Sequence, residues 1–157
     1  MSLSSPATTR RHPPHGLTLL ELMIALVLLA VVASIAYPSY RAQIEKGRIA
    51  QAVREIQEIS LVLERSFTDK GKYPASLADV GQAKNDPWGH AYEYLNMAGA
   101  STGQVRKDKS LHPLNTDYDL YSMGPDGQTA KPLTSSKSQD DIVRANNGGF
   151  VGLGKDY

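Results

Sequence analysis

"HGLTLLELMIALVLLAVVASIAYPSY", residues 15–40, decides how the rest of this chain is read. From Leu17 to Tyr37 the only formal charge is Glu21. About 20 apolar residues in a helix span a hydrocarbon core of roughly 30 Å, so the stretch reads as a membrane helix. A charge at the centre of such a helix costs roughly 2.5–3.5 kcal/mol on insertion scales, and Glu21 therefore calls for a partner. The alternative is a glutamate at the membrane interface with none, since it lies near the helix start.

A secretory signal peptide competes with this reading, because Arg10 and Arg11 precede the run and "SIA" before Tyr37 resembles a small-residue cleavage site. The run is longer than the usual apolar region of such a peptide, and it opens with a carboxylate. A twin-arginine signal is disfavoured too, since "TTRRHPPHG" continues with proline and histidine rather than apolar residues. The arginine pair predicts an N-terminus kept in the cytoplasm and a body carried across the membrane.

A chain of 157 residues fits one small domain on this segment. Its 17 Lys and Arg against 16 Asp and Glu leave no basic footprint for nucleic acid. Without cysteine, disulfide staples, thiol catalysis and thiolate metal sites are excluded. His90 and His112 lie in no serine-acid or metal-ligand pattern, so an enzyme is not expected.

Beyond the apolar run a helical period continues. Ile49, Val53, Ile56, Ser60, Leu63 and Phe67 recur at alternating intervals of four and three, one face of an amphipathic helix reaching about residue 67. Pro38 removes a backbone hydrogen bond to Ser34, which predicts a kink or loosened turn there, with Gly47 a second soft point. Gly71 and Pro74 in "DKGKYP" end the helix, and "ASLADVG" suits one short helical turn. "KNDPWGHAYEYL" reads as a turn at 86–89 and then a strand, "TDYDLYSM" as a second strand, and 150–153 as a short third. The intervening residues from Asn96, the "RKDK" run at 106–109 and the stretch 124–139 read as polar loops. Trp88, Tyr92 and Tyr94 bracket a turn and a strand, which suits core packing better than a binding platform.

Two groups of residues carry a family resemblance. "GLTLLEL" resembles the processing site of type IV pilin-like precursors, in which prepilin peptidase cuts after a glycine and methylates the new N-terminus, with a glutamate at the fifth mature position. The cut would fall between Gly16 and Leu17, the methyl group on Leu17, and the glutamate is Glu21; Pro38 falls where that superfamily carries a helix-breaking proline. Leu17 departs from the more usual phenylalanine. "NDPWGHAYEYL", "YDLYSMGPDG" and "QDDI", in that order, resemble the major pseudopilin of type II secretion systems.

The resemblance implies an α+β pilin-like fold: a long N-terminal helix packed on a small antiparallel sheet, with a C-terminal loop region. It divides the chain into a leader at 1–16, a transmembrane and filament-core helix at 17–38, and a periplasmic globular domain at 39–157. The implied protein is a single-pass inner-membrane subunit, extracted into a periplasmic filament that helps export proteins across the outer membrane. Its implied partners are prepilin peptidase, an inner-membrane assembly platform, minor pseudopilins and copies of itself in a helical homopolymer. In that filament Glu21 pairs with the N-terminal amine of a neighbouring subunit. Two other readings stay open, a type IV pilin of a surface fibre and a membrane-tethered periplasmic binding module; the lack of cysteine speaks against the first, since such pilins commonly carry a C-terminal disulfide.

Asp126, Asp140 and Asp141 are hard oxygen donors, better suited to calcium than to zinc. The resemblance implies a calcium site built from these three and the main-chain oxygen of Met123, with Ser122 a weaker candidate. The 127–139 insert, with Lys131 and Lys137, is longer than expected for the family; as a flexible loop it still permits closure, each doubling of length costing only about 0.6 kcal/mol. A lysine could replace the cation electrostatically. The competing reading is a turn whose aspartates cap backbone groups.

Overall fold

The computed structural model describes residues 18–157, so Gly16, Leu17 and the 1–16 leader lie outside the described residues. The chain divides into two compact units, one ending at Arg41 and one comprising Ala42–Tyr157. A single helix, α1 (Leu19–Lys70), supplies all the regular structure of the first unit and enters the second.

In the first unit, Thr18 caps the helix: the Glu21 amide donates to Thr18 Oγ1 at 3.1 Å, which puts Glu21 in the first turn. A carboxylate there is favoured by the positive end of the helix dipole. The helix runs on through Pro38 and Gly47, the positions where a kink or loosened turn and a second soft point are expected, so neither ends it. Proline removes a single hydrogen bond, which the flanking turns outlast. Every residue from Thr18 to Tyr40 is exposed. α1 is long and apolar enough to cross a membrane.

The second unit is a four-stranded antiparallel meander in the order β1-β2-β3-β4 with the second half of α1 against one face. Its strands are β1 (Glu93–Asn96), β2 (Tyr118–Ser122), β3 (Ile142–Ala145) and β4 (Phe150–Leu153). β1, β2 and β4 fall where turn signals and alternation place them. β3 was not legible, because "DDIVRA" opens with two acids and places an arginine inside the strand.

α1 ends at Lys70, with Gly71 at φ 69° closing the final turn through its amide to Phe67 O. The face it buries is Ala52, Ile56, Ile59, Leu63 and Ser66. The predicted stripe was displaced by a fraction of a turn: Ile49 and Val53 are only half-buried and Phe67 is 43% exposed. Small side chains at 52 and 66 let the sheet approach along this line. There Ile56, Ile59 and Leu63 meet Tyr118 and Leu120 of β2, Ile142 of β3, Leu77 and Tyr92. Full burial of one such aliphatic side chain contributes roughly 1.5–3 kcal/mol.

All five β2 residues are buried, because the opposite face of the sheet is covered as well. Tyr121, Val143 and Ala145 pack there beneath Leu114 and Leu133. The cover is made by the segments read as polar loops. Lys107 N donates to Lys131 O at 2.9 Å and Leu133 N to Lys107 O at 3.0 Å, which ties the 127–139 insert to the β1–β2 connection. The insert is thus anchored rather than flexible, with Leu133 1% exposed.

Candidate functional site

Three segments that are far apart in sequence meet at one end of the sheet. In the first, Asp86 closes the turn before β1, its Oδ1 accepting from the amides of Trp88 and His90 at 3.0 and 2.9 Å. The same carboxylate accepts from Ser122 Oγ through Oδ2 at 2.5 Å, joining this turn to the end of β2. His90 adds a second tie, its Nδ1 lying 3.1 Å from Gly124 O. Trp88 and Tyr92 anchor the turn to α1, with Trp88 Nε1 donating to Glu45 at 3.1 Å and Tyr92 Oη to Glu55 at 2.6 Å. These aromatics are structural, in agreement with their spacing.

The second segment is "SMGPDG", residues 122–127. Gly124 has φ 65°, and a Cβ at this position would collide with the carbonyl of Asp140. Only glycine allows the loop to come this close to the start of the third segment. Asp126 folds its own turn, Oδ1 accepting from the Gln128 amide at 2.8 Å, and remains exposed. That is the capping role weighed against metal binding, now observed for one oxygen of one aspartate.

The third segment carries Asp140 and Asp141, and it splits them. Asp140 is half-buried. Its pKa is raised chiefly by burial, with the negative charge of Asp126 acting in the same sense. Asp141 is fully buried and turns toward Arg106, with Oδ2 2.7 Å from Nη2. Thr129 Oγ1 donates to the same oxygen at 2.6 Å. Burial is the main reason that the Asp141 pKa is raised, the guanidinium acting in the opposite sense. Asp141 Oδ1 is buried with no hydrogen-bond partner.

The expected metal set is therefore brought together in part. Among the described residues no three acidic or histidine side chains converge at ion-binding spacing. Asp126 Oδ1 and Asp141 Oδ2 are already engaged, and the feature left open to a hard cation is the buried Asp141 Oδ1, which lacks a partner. Ser122 is buried and its hydroxyl is engaged, donating to Asp86 and accepting from the Gly124 amide at 3.0 Å.

Arg106 is the residue that sequence reasoning missed. Its "RKDK" run reads as a solvated loop, yet Arg106 is 2% exposed and its guanidinium lies 4.1 Å from the Tyr121 ring centroid. Its amide also donates to the buried Asp119 at 2.6 Å. The cation beside Asp141 is this arginine and not a lysine of the insert. Nothing in the local pattern marks it, because its partners lie 13 to 35 residues away.

At the other end of the chain, Glu21 and Pro38 lie on the exposed apolar half of α1. Gly16 and Leu17, where processing is expected, precede the described residues.

Residues 11–37 match the prokaryotic N-terminal methylation motif. Type II secretion system core protein G of Aeromonas hydrophila is 30% identical over 141 residues, which cover 76% of this chain and 88% of that protein. The core protein G of Xanthomonas campestris pv. campestris is 30% identical over 141 residues, covering 80% and 86%. That of Escherichia coli K12 is 28% identical over 151 residues, covering 82% and 89%. No solved structure matches the chain significantly.

Proposed function

The chain belongs to the family of type II secretion system core protein G, and on that premise we propose how it acts as a structural subunit of the secretion pseudopilus. The precursor is held in the inner membrane by the apolar half of α1 and trimmed by prepilin peptidase between Gly16 and Leu17. Leu17 is then methylated on its new amine. The subunit is extracted through an assembly platform and polymerises with copies of itself, together with minor pseudopilins, into a periplasmic filament. Its part is structural; it carries out no reaction of its own.

One observation carries this reading: the large apolar side chains from Leu19 to Tyr40 are exposed, on a helix whose continuation is packed into a folded body. Such a surface needs lipid before assembly and neighbouring helices afterwards. Glu21 selects the register. Pairing with the N-terminal amine of a neighbour offsets the burial of both charges, and loss of one partner from a buried pair costs about 3–5 kcal/mol. Pro38 leaves one backbone acceptor of α1 without its helical donor, a soft point for the helix to adjust on assembly.

The C-terminal segments hold a structural calcium ion in this reading. Asp126, Asp140 and Asp141 would hold it with the main-chain oxygen of Met123, and Ser122 is the weaker donor. When bound, the ion supplies positive charge and oxygen coordination that lock the 122–127 loop to the start of β3. Support comes from the buried, unpartnered Asp141 Oδ1.

The deciding experiment is the intact mass and N-terminal sequence of the mature protein from membranes of a secreting strain. The expected species begins at methylated Leu17. A mature chain that retains residues 1–16, or one cut near Tyr37, overturns the processing and filament reading.

A further inference from the structure

Among the described residues of the second unit, Leu61 and Leu111 are the most exposed large apolar side chains, at 71% and 61%. A single exposed leucine is ordinary, but the settings of these two are not. Leu111 sits at the tip of the β1–β2 connection with φ 65°, in the left-handed region that a bulky side chain rarely adopts. The surrounding turn holds it there: Lys107 bridges to Pro113 at the base, the Asp108 amide donates to His112 O at 2.8 Å, and Asp108 Oδ1 accepts from the amides of Ser110 and His112, both at 2.8 Å. Strain of this kind persists only where the surroundings impose it, and within the subunit it gains no burial for the leucine.

Leu61 borders a groove of about 360 Å³ between α1 and the β3–β4 turn, lined also by Gln57, Glu64, Tyr118, Gly148 and Val151. Tip and groove lie on opposite faces of the sheet, since the β1–β2 connection covers the Tyr121 and Val143 face while the groove opens beside α1. Their charges are complementary. Lys107 and Lys109 flank Asp108 just ahead of Leu111, which leaves the tip one positive charge in surplus. At the groove Arg144 is matched by Asp117, so the surplus is the carboxylate of Glu64, whose side chain is 49% exposed.

We propose that Leu111 of one subunit docks in the groove beside Leu61 of a second copy of this chain, with Lys109 set against Glu64. The inference rests on the filament reading and names a contact within it. Burial of the two leucines supplies the apolar part of the contact, and the lysine and glutamate fix its register and exclude wrong partners. Each copy carries one tip and one groove on opposite faces, so the contact is heterologous. Contacts of that type propagate into open helical assemblies unless the rotation closes them into a ring. The left-handed backbone at Leu111 thus presents an apolar anchor to a neighbour.

The chain has no cysteine, so Leu61→Cys and Leu111→Cys can be placed together in the full chain and joined by a short bis-maleimide in an overproducing, secreting strain. The double variant should give a ladder of covalent multimers. The two single variants expressed together should give dimer only, and either one alone no cross-link. A product confined to dimer in the double variant, or a cross-link from one single variant alone, overturns the heterologous contact. No cross-link in a strain whose sheared filaments are present overturns the contact and leaves the filament reading standing. Absence of both cross-links and wild-type filaments overturns both.

A second set of variants reads the same contact without cross-linking. Leu111→Gly removes the backbone strain, so the Tm of the full chain in detergent micelles should not fall, while each contact should weaken about tenfold or more and filament yield should drop. Wild-type yield from Leu111→Gly overturns the proposal. Lys109→Glu should also lower the yield, and adding Gln57→Lys at the groove should restore it. A loss that Gln57→Lys leaves unchanged overturns the pairing of Lys109 with Glu64.

Discussion

Arg144 of β3 and Asp117, just ahead of β2, form a two-pronged pair, with Nη1–Oδ1 and Nη2–Oδ2 distances of 2.8 and 2.6 Å. Arg144 is 3% exposed and its guanidinium lies 3.9 Å from the Tyr118 ring centroid, on the face covered by α1. The pair ties two strands together at the edge of the main core. Asp117→Ala leaves Arg144 buried without its principal counter-charge and should lower stability by about 3 kcal/mol. Replacing both residues by apolar ones should cost less than that single change. Chemical denaturation of the three proteins checks the order; a double variant weaker than Asp117→Ala would overturn it.

The face of α1 makes a second prediction. Ile59→Ala and Leu63→Ala should each cost about 2–5 kcal/mol, as residues at 0% exposure in the core. Phe67→Ala should cost clearly less, since Phe67 is 43% exposed and rests on Tyr73 alone among aromatic partners. Ala52→Leu should destabilise by about 1–3 kcal/mol through overpacking. Equal losses at 59 and 67, read as denaturation midpoints, would restore the stripe that spacing alone suggested.

For Glu21, the expected behaviour of Glu21→Ala is normal membrane insertion and processing with greatly reduced incorporation into filaments. In the proposed filament the lone carboxylate pairs between subunits, so the isolated subunit should tolerate the change. Filament yield, scored beside the mature N-terminal mass, separates assembly from processing. Wild-type yield from the variant would remove the pairing argument.

Calcium makes the fourth prediction. Ligand that binds only the folded chain stabilises it by about 2.7 kcal/mol at a hundredfold excess over Kd, so chelation should lower the Tm. Magnesium should restore it poorly, because it demands a tight octahedron and keeps its water. Asp126→Ala and Asp140→Ala should each abolish the response to calcium. Should both variants instead lose the same stability with and without the ion, the aspartates cap backbone and do no more.

The tyrosines set a limit at high pH. Burial and the Glu64 hydrogen bond push Tyr73 up to about 12, and burial pushes Tyr94 up to about 12. Burial raises Tyr92 and Tyr118 further. Their folded-state pKa values exceed the unfolded value of about 10, so the stability they contribute is complete below about pH 10 and is lost as pH rises through the folded values. Denaturation midpoints should fall across that window, with phenolate absorbance from these residues lagging until the chain unfolds. Phenolate formation complete near pH 10, before unfolding, would contradict this.

By itself the sequence determined what is local and periodic. The apolar run at 17–37, the Gly71 stop, the turn at 86–89 and the alternation of β1 and β2 are written in neighbouring residues, because backbone conformation responds to neighbours. The three motif blocks and the processing signal were legible for the same reason. Tertiary structure decided what depends on distant partners. Periodicity said that α1 has an apolar face, but the sheet chose the line through Ala52, Ile59 and Ser66 over the bulkier one through Val53 and Phe67. Arg106 and Arg144 look like surface cations until Asp141 and Asp117 arrive from other segments. A charge can be buried only when its counter-charge is buried with it, and that pairing, formed across 35 and 27 residues of chain, exists only once the sheet has closed.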